Sequence, residues 1–316
     1  MACVLITGAR GFIGKHLSKY LAAQGHHVIG LGHGIWPQIE ALSWGVQDWV
    51  NGDIQTANLR ALQTQVHPEL IFHLAGGSTV GAAMSNPRED FSRTVVSTVE
   101  LLEWLRLDLP DARLIAVSSA AVYGSNFSGP IPENAASVPY SPYGHHKRIM
   151  ESLCRSYGDS YGIDFRVARL FSVYGPELKK QLLWDLCIQL SDSKSTLTLG
   201  GTGTELRDWI HVDDVVAALA LIGVNNNSTQ NDYINVGTGE GTSVQAIAQL
   251  VIDAWQKRTS TSWKPKLYFS GQSRPGDPFS LVAKPSSLSR IGFSSQIPLS
   301  EGIQSFVDWF HQVTTC

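Results

Sequence analysis

The chain has 316 residues, 43% of them hydrophobic and 16% charged, with a formal net charge of −3. That balance describes an ordinary folded protein rather than a disordered one, and the length suits one large domain or two moderate ones. A charge so close to neutral gives no electrostatic reason to expect nucleic acid or an anionic membrane as a partner.

Residues 3–7 read as a short buried strand. No secretory pattern precedes it, so a cytoplasmic setting is expected. A glycine-rich turn follows, and then a helix over 14–23. Further strands are expected at 27–31, 70–74, 114–118 and 165–170. Apolar residues at helical spacing predict helices over 91–107 and 143–157, the second after the turn-rich run 129–142. Strands alternating with helices imply an α/β fold, a Rossmann-type doubly wound parallel sheet covered on both faces. Past Gly175 the connections lengthen and grow richer in Gly, Pro, Ser and Thr. The expected division is a dinucleotide-binding domain over 1–175 and a smaller C-terminal substrate-binding lobe over 176–316, with segments returning to the first domain. Three Asn at 225–227 mark an exposed loop. The longest apolar stretch, Val215 to Val224, is far too short to span a bilayer. Cys3, Cys154, Cys187 and Cys316 are scattered without metal-ligand spacing and read as free thiols. Nine tryptophans are many for this length; most are expected to serve packing, and none is assigned a role.

The first chemical signal is Val4-Leu5-Ile6-Thr7-Gly8-Ala9-Arg10-Gly11-Phe12-Ile13-Gly14, a strand, a glycine turn and a helix start. Gly8 permits the tight turn. Gly11 lets the backbone approach a pyrophosphate, and Gly14 lets the helix pack closely on the strand. The helix N-terminus offers N–H groups and a positive dipole end to phosphates. A dinucleotide is therefore the expected cofactor. The end of the second strand, Val28-Ile29-Gly30-Leu31-Gly32-His33, lacks the acid that would hold the ribose hydroxyl of NAD, and Gly32 fills its slot. The reading therefore favours NADP, with Arg10 and His33 as phosphate contacts and NAD as the alternative. Asp53, in Asn51-Gly52-Asp53-Ile54, is a candidate acceptor for the adenine amino group or a turn residue.

The second signal is Tyr143 and Lys147, four apart and so on one helical face. A cation beside a phenol favours the phenolate, which makes Tyr143 a candidate proton donor and acceptor. The segment Val117-Ser118-Ser119-Ala120-Ala121-Val122-Tyr123-Gly124 ends a parallel strand, where ligands of open α/β sheets bind. Ser119 is placed there to hydrogen-bond the substrate oxygen.

This set resembles the extended short-chain dehydrogenase/reductases that act on nucleotide sugars. The matches run along nearly the whole chain: Thr7 through Gly14, His73-Leu74-Ala75-Gly76, the Ser119 segment, Tyr143 with Lys147, Arg169 through Pro176, Arg207 through Asp214, Asn235-Val236-Gly237 and Arg274-Pro275-Gly276-Asp277. The resemblance implies Ser119, Tyr143 and Lys147 as catalytic residues, with Lys147 also on the nicotinamide ribose. It implies cofactor contacts along Gly8–Gly14, at Asp53 and Ile54, and at Leu74, Ala75 and Gly76. On the substrate side it implies Ala120 and Ser172, with Arg207 and Arg274 holding the diphosphate. It also implies a homodimer through the helices near 91–107 and 143–157.

Three reactions recur in that family. Ala120-Ala121 stands where the 4,6-dehydratases carry an Asp-Glu pair, and alanine transfers no protons, so dehydration is excluded. Reduction of an NDP-4-keto-6-deoxyhexose by NADPH is the preferred reading because Gly32 replaces the ribose acid. The alternative is an NAD-dependent 4-epimerase, which the Ser119-Ala120-Ala121 run resembles. A non-catalytic nucleotide-binding protein on the same fold is the third reading. Ser172 and Thr94 depart from the asparagines usual at those two positions. His73, His145, His146 and His211 lie near the motifs, and each reads as a satisfied or exposed histidine rather than an extra acid. Lys179 and Lys180 are either phosphate contacts or a solvated face.

Overall fold

A computed structural model describes residues 2–63, 66–225, 233–272 and 278–314. In chain order it forms β1 (Cys3–Thr7), α1 (Phe12–Ala23), β2 (His27–Gly32), α2 (Gln38–Ser43), β3 (Asp48–Asn51), α3 (Thr56–Gln63), β4 (Leu70–His73), α4 (Val80–Ser85), α5 (Pro87–Phe91), a π turn (Ser92–Val96), α6 (Ser97–Asp108) and β5 (Arg113–Ser119). A 3-10 turn (Ala120–Tyr123) then leads to α7 (Pro142–Tyr161), β6 (Phe165–Leu170), β7 (Ser172–Tyr174), α8 (Gln181–Ser191), β8 (Thr196–Leu199) and β9 (Leu206–His211). The chain continues with α9 (Val212–Val224), β10 (Tyr233–Val236), β11 (Gly241–Ser243), α10 (Val244–Thr259), β12 (Lys266–Phe269), β13 (Ser280–Leu281), α11 (Ser286–Arg290) and α12 (Leu299–Thr314).

Seven strands form one parallel sheet in the order β10-β6-β5-β4-β1-β2-β3. The order reverses at β1, where the chain runs first to β2 and β3 and then back past β1 to β4. Ligands of such sheets sit at that reversal, outside the carboxyl ends of the strands. Val4, Leu5, Ile6, Ile71 and Phe72 are fully buried or nearly so, as expected of strands covered on both faces. Strand β10 comes from far along the chain, yet pairs with β6 at the sheet edge. Beyond the sheet, α8, α10 and α12 enclose a separate apolar cluster that includes Leu186, Val251, Trp255, Phe306 and Phe310. Among the described residues no helix is long and apolar enough to cross a membrane.

Two differences from the sequence reading shape the site. The expected single helix over 91–107 is three pieces, α5, the π turn and α6. The π turn carries Thr94, fully buried, whose hydroxyl accepts a hydrogen bond from the Gly77 N–H at 2.9 Å. Such single π turns often mark sites where a side chain must be re-aimed. The second helix starts one residue earlier than expected and runs to Tyr161. Pro142 occupies its first turn, the Ser141 hydroxyl accepts from the Gly144 N–H at 3.2 Å, and Gly162 stops it in the left-handed region. Asn226 and Asn227, expected in an exposed loop, lie outside the described residues, as does Cys316.

Candidate active site

A cleft of about 2170 Å³ opens along the carboxyl ends of β1, β2, β4 and β5 and continues toward α8 and β9. Gly8, Arg10, Gly11, Phe12, Ile13 and Gly14 line one end of it. Gly8 has φ 74°, a backbone shape that side chains resist. A Cβ on Gly14 would lie 2.7 Å from the Ala9 Cα, so α1 closes on the turn only with glycine there. Gly11 caps α1 with no side-chain hydrogen bond, and the first turn of the helix lines the cleft. A bare, uncapped helix end against a close backbone turn fits a pyrophosphate. Leu74, Ala75 and Gly76 line the cleft after β4, and the Ala75 N–H donates to the Thr7 hydroxyl at 3.3 Å.

The rim at β2 explains the missing acid. A Cβ on Gly32 would lie 2.9 Å from the ring of Trp49, which reaches over from β3. His33, Asp53 and Ile54 all line this part of the cleft. The His33 ring, expected on a phosphate, sits 3.1 Å from the Asp53 carboxylate, with both side chains largely exposed. The Arg10 guanidinium donates to the His33 carbonyl at 3.5 Å. An acid thus stands at the rim after all, contributed by the loop after β3 instead of by β2.

Ser119, Tyr143 and Lys147 converge at the middle of the cleft. The Ser119 side chain acts on the Tyr143 hydroxyl so as to favour its phenolate. Lys147 is only 4% exposed and donates to the Val117 carbonyl at 2.8 Å. Burial pulls its pKa down to about 8, against the opposing pull of the Asp90 and Glu151 carboxylates. The expectation that Lys147 lowers the Tyr143 pKa is corrected in the protein alone. Burial raises Tyr143, the neighbouring Ser119 side chain opposes that rise, and the Asp90 charge adds to it. Spacing along a helix shows which groups are near one another. It does not show the desolvation that here outweighs them.

On the substrate side, Ala120 lies buried in the 3-10 turn against the cleft, and Ser172 and Arg207 line it from β7 and β9. The Arg207 guanidinium donates to the Leu206 carbonyl at 2.8 Å. Arg274 lies outside the described residues. Lys180 lines the cleft and donates to the Ser78 hydroxyl at 3.1 Å, a bridge between the two sides that spacing did not reveal. Lys179 instead lies 6.0 Å above the Trp309 ring. Three of the four histidines behave as expected of satisfied or exposed groups, whereas the buried His211 keeps its Nε2 without a hydrogen-bond partner. His73 is fully buried between the hydroxyls of Thr7 and Thr98, and burial pushes its pKa down to about 3. His211 accepts from the Asp213 N–H, His145 is exposed, and His146 bonds Asp90.

The sequence profile described as the NAD dependent epimerase/dehydratase family matches residues 4–237. The chain belongs to that family. Membership makes it an NAD(P)-dependent enzyme of the nucleotide-sugar group, on the doubly wound sheet anticipated from its strand pattern. It is 31% identical over 314 residues to a UDP-glucose 4-epimerase of Mycolicibacterium smegmatis, covering 97% of both chains. Among solved structures it resembles the UDP-glucuronic acid 4-epimerase of Bacillus cereus in complex with UDP-glucuronic acid and NAD. That match has a TM-score of 0.85 and 28% identity, over 98% of this chain and 99% of that one. The UDP-glucose 4-epimerase of Thermus thermophilus in complex with NAD gives a TM-score of 0.84 and 27% identity over 98% of each chain.

Proposed function

We propose that this enzyme is an NAD-dependent 4-epimerase of a UDP-linked sugar. The observation that carries the proposal is its likeness, along the whole chain, to UDP-sugar 4-epimerases. The sequence reading preferred NADPH-dependent reduction because Gly32 replaces the ribose acid. The Asp53 carboxylate beside His33 weakens that preference, since an acid at the rim repels a 2′-phosphate and can accept from a ribose hydroxyl. Ala120 and Ala121 still argue against dehydration.

Hydride exchange at C4 is the chemistry the dinucleotide supplies when bound. The proton falls to the chain. In this reading Tyr143, as phenolate, takes the proton of the C4 hydroxyl while the C4 hydride leaves, and returns it after the sugar has presented its other face. Ser119 orients the oxygen, and Lys147 keeps a positive charge beside the site. Gly8, Gly11 and Gly14 hold the pyrophosphate, with Arg10, Phe12, Ile13, His33, Asp53, Ile54 and the Leu74–Gly76 turn around the rest of the cofactor. Ala120, Ser172 and Arg207 face the nucleotide sugar, and the family resemblance assigns Arg274 to its diphosphate as well. Labour then divides near residue 175, with 1–175 for the dinucleotide and 176–316 for the substrate, β10 excepted.

The purified protein is expected to keep NAD through dialysis and to convert UDP-glucose or UDP-glucuronic acid to its C4 epimer with no cofactor added. Stoichiometric loss of NADPH absorbance with a 4-keto sugar, and no epimer formed, would restore the reductase reading. We also propose a homodimer through α4 to α7. Met84, Leu107, Ile149 and Tyr161 are exposed apolar residues on those helices. Light scattering is expected to give a dimer mass for the native chain and a monomer mass for Met84→Glu with Ile149→Glu. A monomeric native chain overturns this.

A further inference from the structure

Behind the catalytic helix lies a buried hydrogen-bonded pair, Asp90 and His146, that the proposed chemistry does not use. Asp90, on the short helix α5, is 5% exposed. Its Oδ2 accepts from His146 Nδ1 at 2.5 Å, and His146 stands on α7 between Tyr143 and Lys147 in sequence. The other carboxylate oxygen presses on Gly77, where a Cβ would overlap it. The same turn is held by Thr94, and a Cβ on Gly76 would lie 3.3 Å from the Lys147 ammonium. Phe91 packs edge-on against the His146 ring, 5.3 Å between centroids. Asp90 itself does not reach the cleft, although Glu89, Ser92 and Arg93 around it do. Any effect it has on the cleft therefore passes through other groups.

We infer that Asp90, held by His146, is a positioning residue that sets the charge balance at Tyr143 and Lys147 from beneath the Gly76–Gly77 turn. A buried carboxylate is costly unless bonded, and His146 supplies that bond. Once held there, its charge acts on the catalytic pair across a poorly solvated interior. It opposes the Tyr143 phenolate and favours the Lys147 ammonium. The surrounding groups leave it this role. From α7 the charged or titratable neighbours are Tyr143, His146 and Lys147, with Glu151 and Cys154 further along and nearer Lys147. His73 faces Lys147 from β4 but is fully buried and pushed toward the neutral form. Helix α4 carries no titratable residue. Arg93 on the π turn is bound to Glu89 at the surface.

The inference rests on the reading of Tyr143 as the proton-transfer group, and its test separates the two. The protein is labelled with 13Cζ-tyrosine, and the Tyr143 resonance is identified as the one missing from Tyr143→Phe. Its titration midpoint is expected to fall in Asp90→Asn, because the like charge that raises it is removed. The pH profile of kcat/KM on UDP-glucose is expected to move toward acid on both limbs, because removing Asp90 lowers both groups. His146→Leu removes the donor that holds the Asp90 carboxylate in place, and the same acid shift is expected. His146→Asn keeps a donor near the Nδ1 position and is expected to stay near wild type. Asp90→Asn combined with His146→Leu is expected to shift no further than either alone. An unchanged or raised Tyr143 midpoint in a folded Asp90→Asn or His146→Leu protein overturns the inference. A fully active Tyr143→Phe enzyme overturns the reading beneath it and leaves the titration to stand or fall separately.

Discussion

Tyr143→Phe is expected to lower kcat by about a hundred- to ten-thousandfold, the range for losing a general acid–base group, with little change in nucleotide-sugar affinity. The substitution removes one hydroxyl and leaves the ring in place. Ser119 keeps its bond from the Ala121 N–H at 3.2 Å, so the turn that carries it survives. What disappears is the only group in the proposed mechanism that takes and returns the C4 proton. Lys147→Met tests the same step from its electrostatic side. Burial sets the Lys147 pKa at about 8, well below its usual value. Its ammonium is therefore present through neutral pH and lost as the pH rises past about 8, and activity is expected to decline over that window. Lys147→Met is expected to abolish that alkaline limb along with most of the rate. Steady-state rates of UDP-glucose conversion across pH check both variants. A Tyr143→Phe enzyme within about threefold of wild type sinks the mechanism, because general acid–base catalysis contributes far more than that.

The parts of the site that were legible in the sequence are those where steric need selects one residue type. Gly8 and Gly14 could be read because no side chain fits their backbone shape or spacing. Tyr143 and Lys147 could be read because a helix places residues four apart on one face. What remained hidden depends on elements distant in the chain. Trp49 fills the space beside Gly32 from a neighbouring strand, so the absent acid there reflects packing as much as cofactor choice. Asp90 and His146 are 56 residues apart, and neither position alone announces the other. The π turn at Ser92–Val96 inserts an extra residue that a count of helical periods does not register. β3 escaped notice because its four residues are all partly or fully exposed, unlike the buried runs of β1 and β4. Helix α12 was readable, with Ile303, Phe306, Val307 and Phe310 at helical spacing, yet the loop-rich look of that half concealed it.

Glu151→Ala is expected to cost about 3–5 kcal/mol of stability, the price of stranding a buried charge. Glu151 lies one turn beyond Lys147 on α7 and accepts both Arg169 Nε at 3.0 Å and Arg169 Nη2 at 2.7 Å. It also accepts from the Ser118 hydroxyl at 2.6 Å. Arg169 Nη1 continues the network to the Tyr123 hydroxyl and the Glu133 carbonyl, and Tyr123 donates to Asn235 on β10. Burial alone would pull the Arg169 pKa down, but the paired Glu151 carboxylate more than reverses this, so the guanidinium stays charged. Removing the carboxylate leaves that charge buried at 5% side-chain exposure. The network ties α7 to β5, β6 and β10, so the same bonds that stabilise the fold also fix the height of Tyr143 and Lys147 over Ser119. The urea midpoint of Glu151→Ala is expected to fall with little change in slope. Replacing both partners, Glu151→Leu with Arg169→Met, is expected to recover much of the loss, because no charge is then left unpaired. A Glu151→Ala protein within about 1 kcal/mol of wild type contradicts this account, since a lone buried charge costs several times more. A double variant no better than the single one would place the cost in packing rather than in the stranded guanidinium.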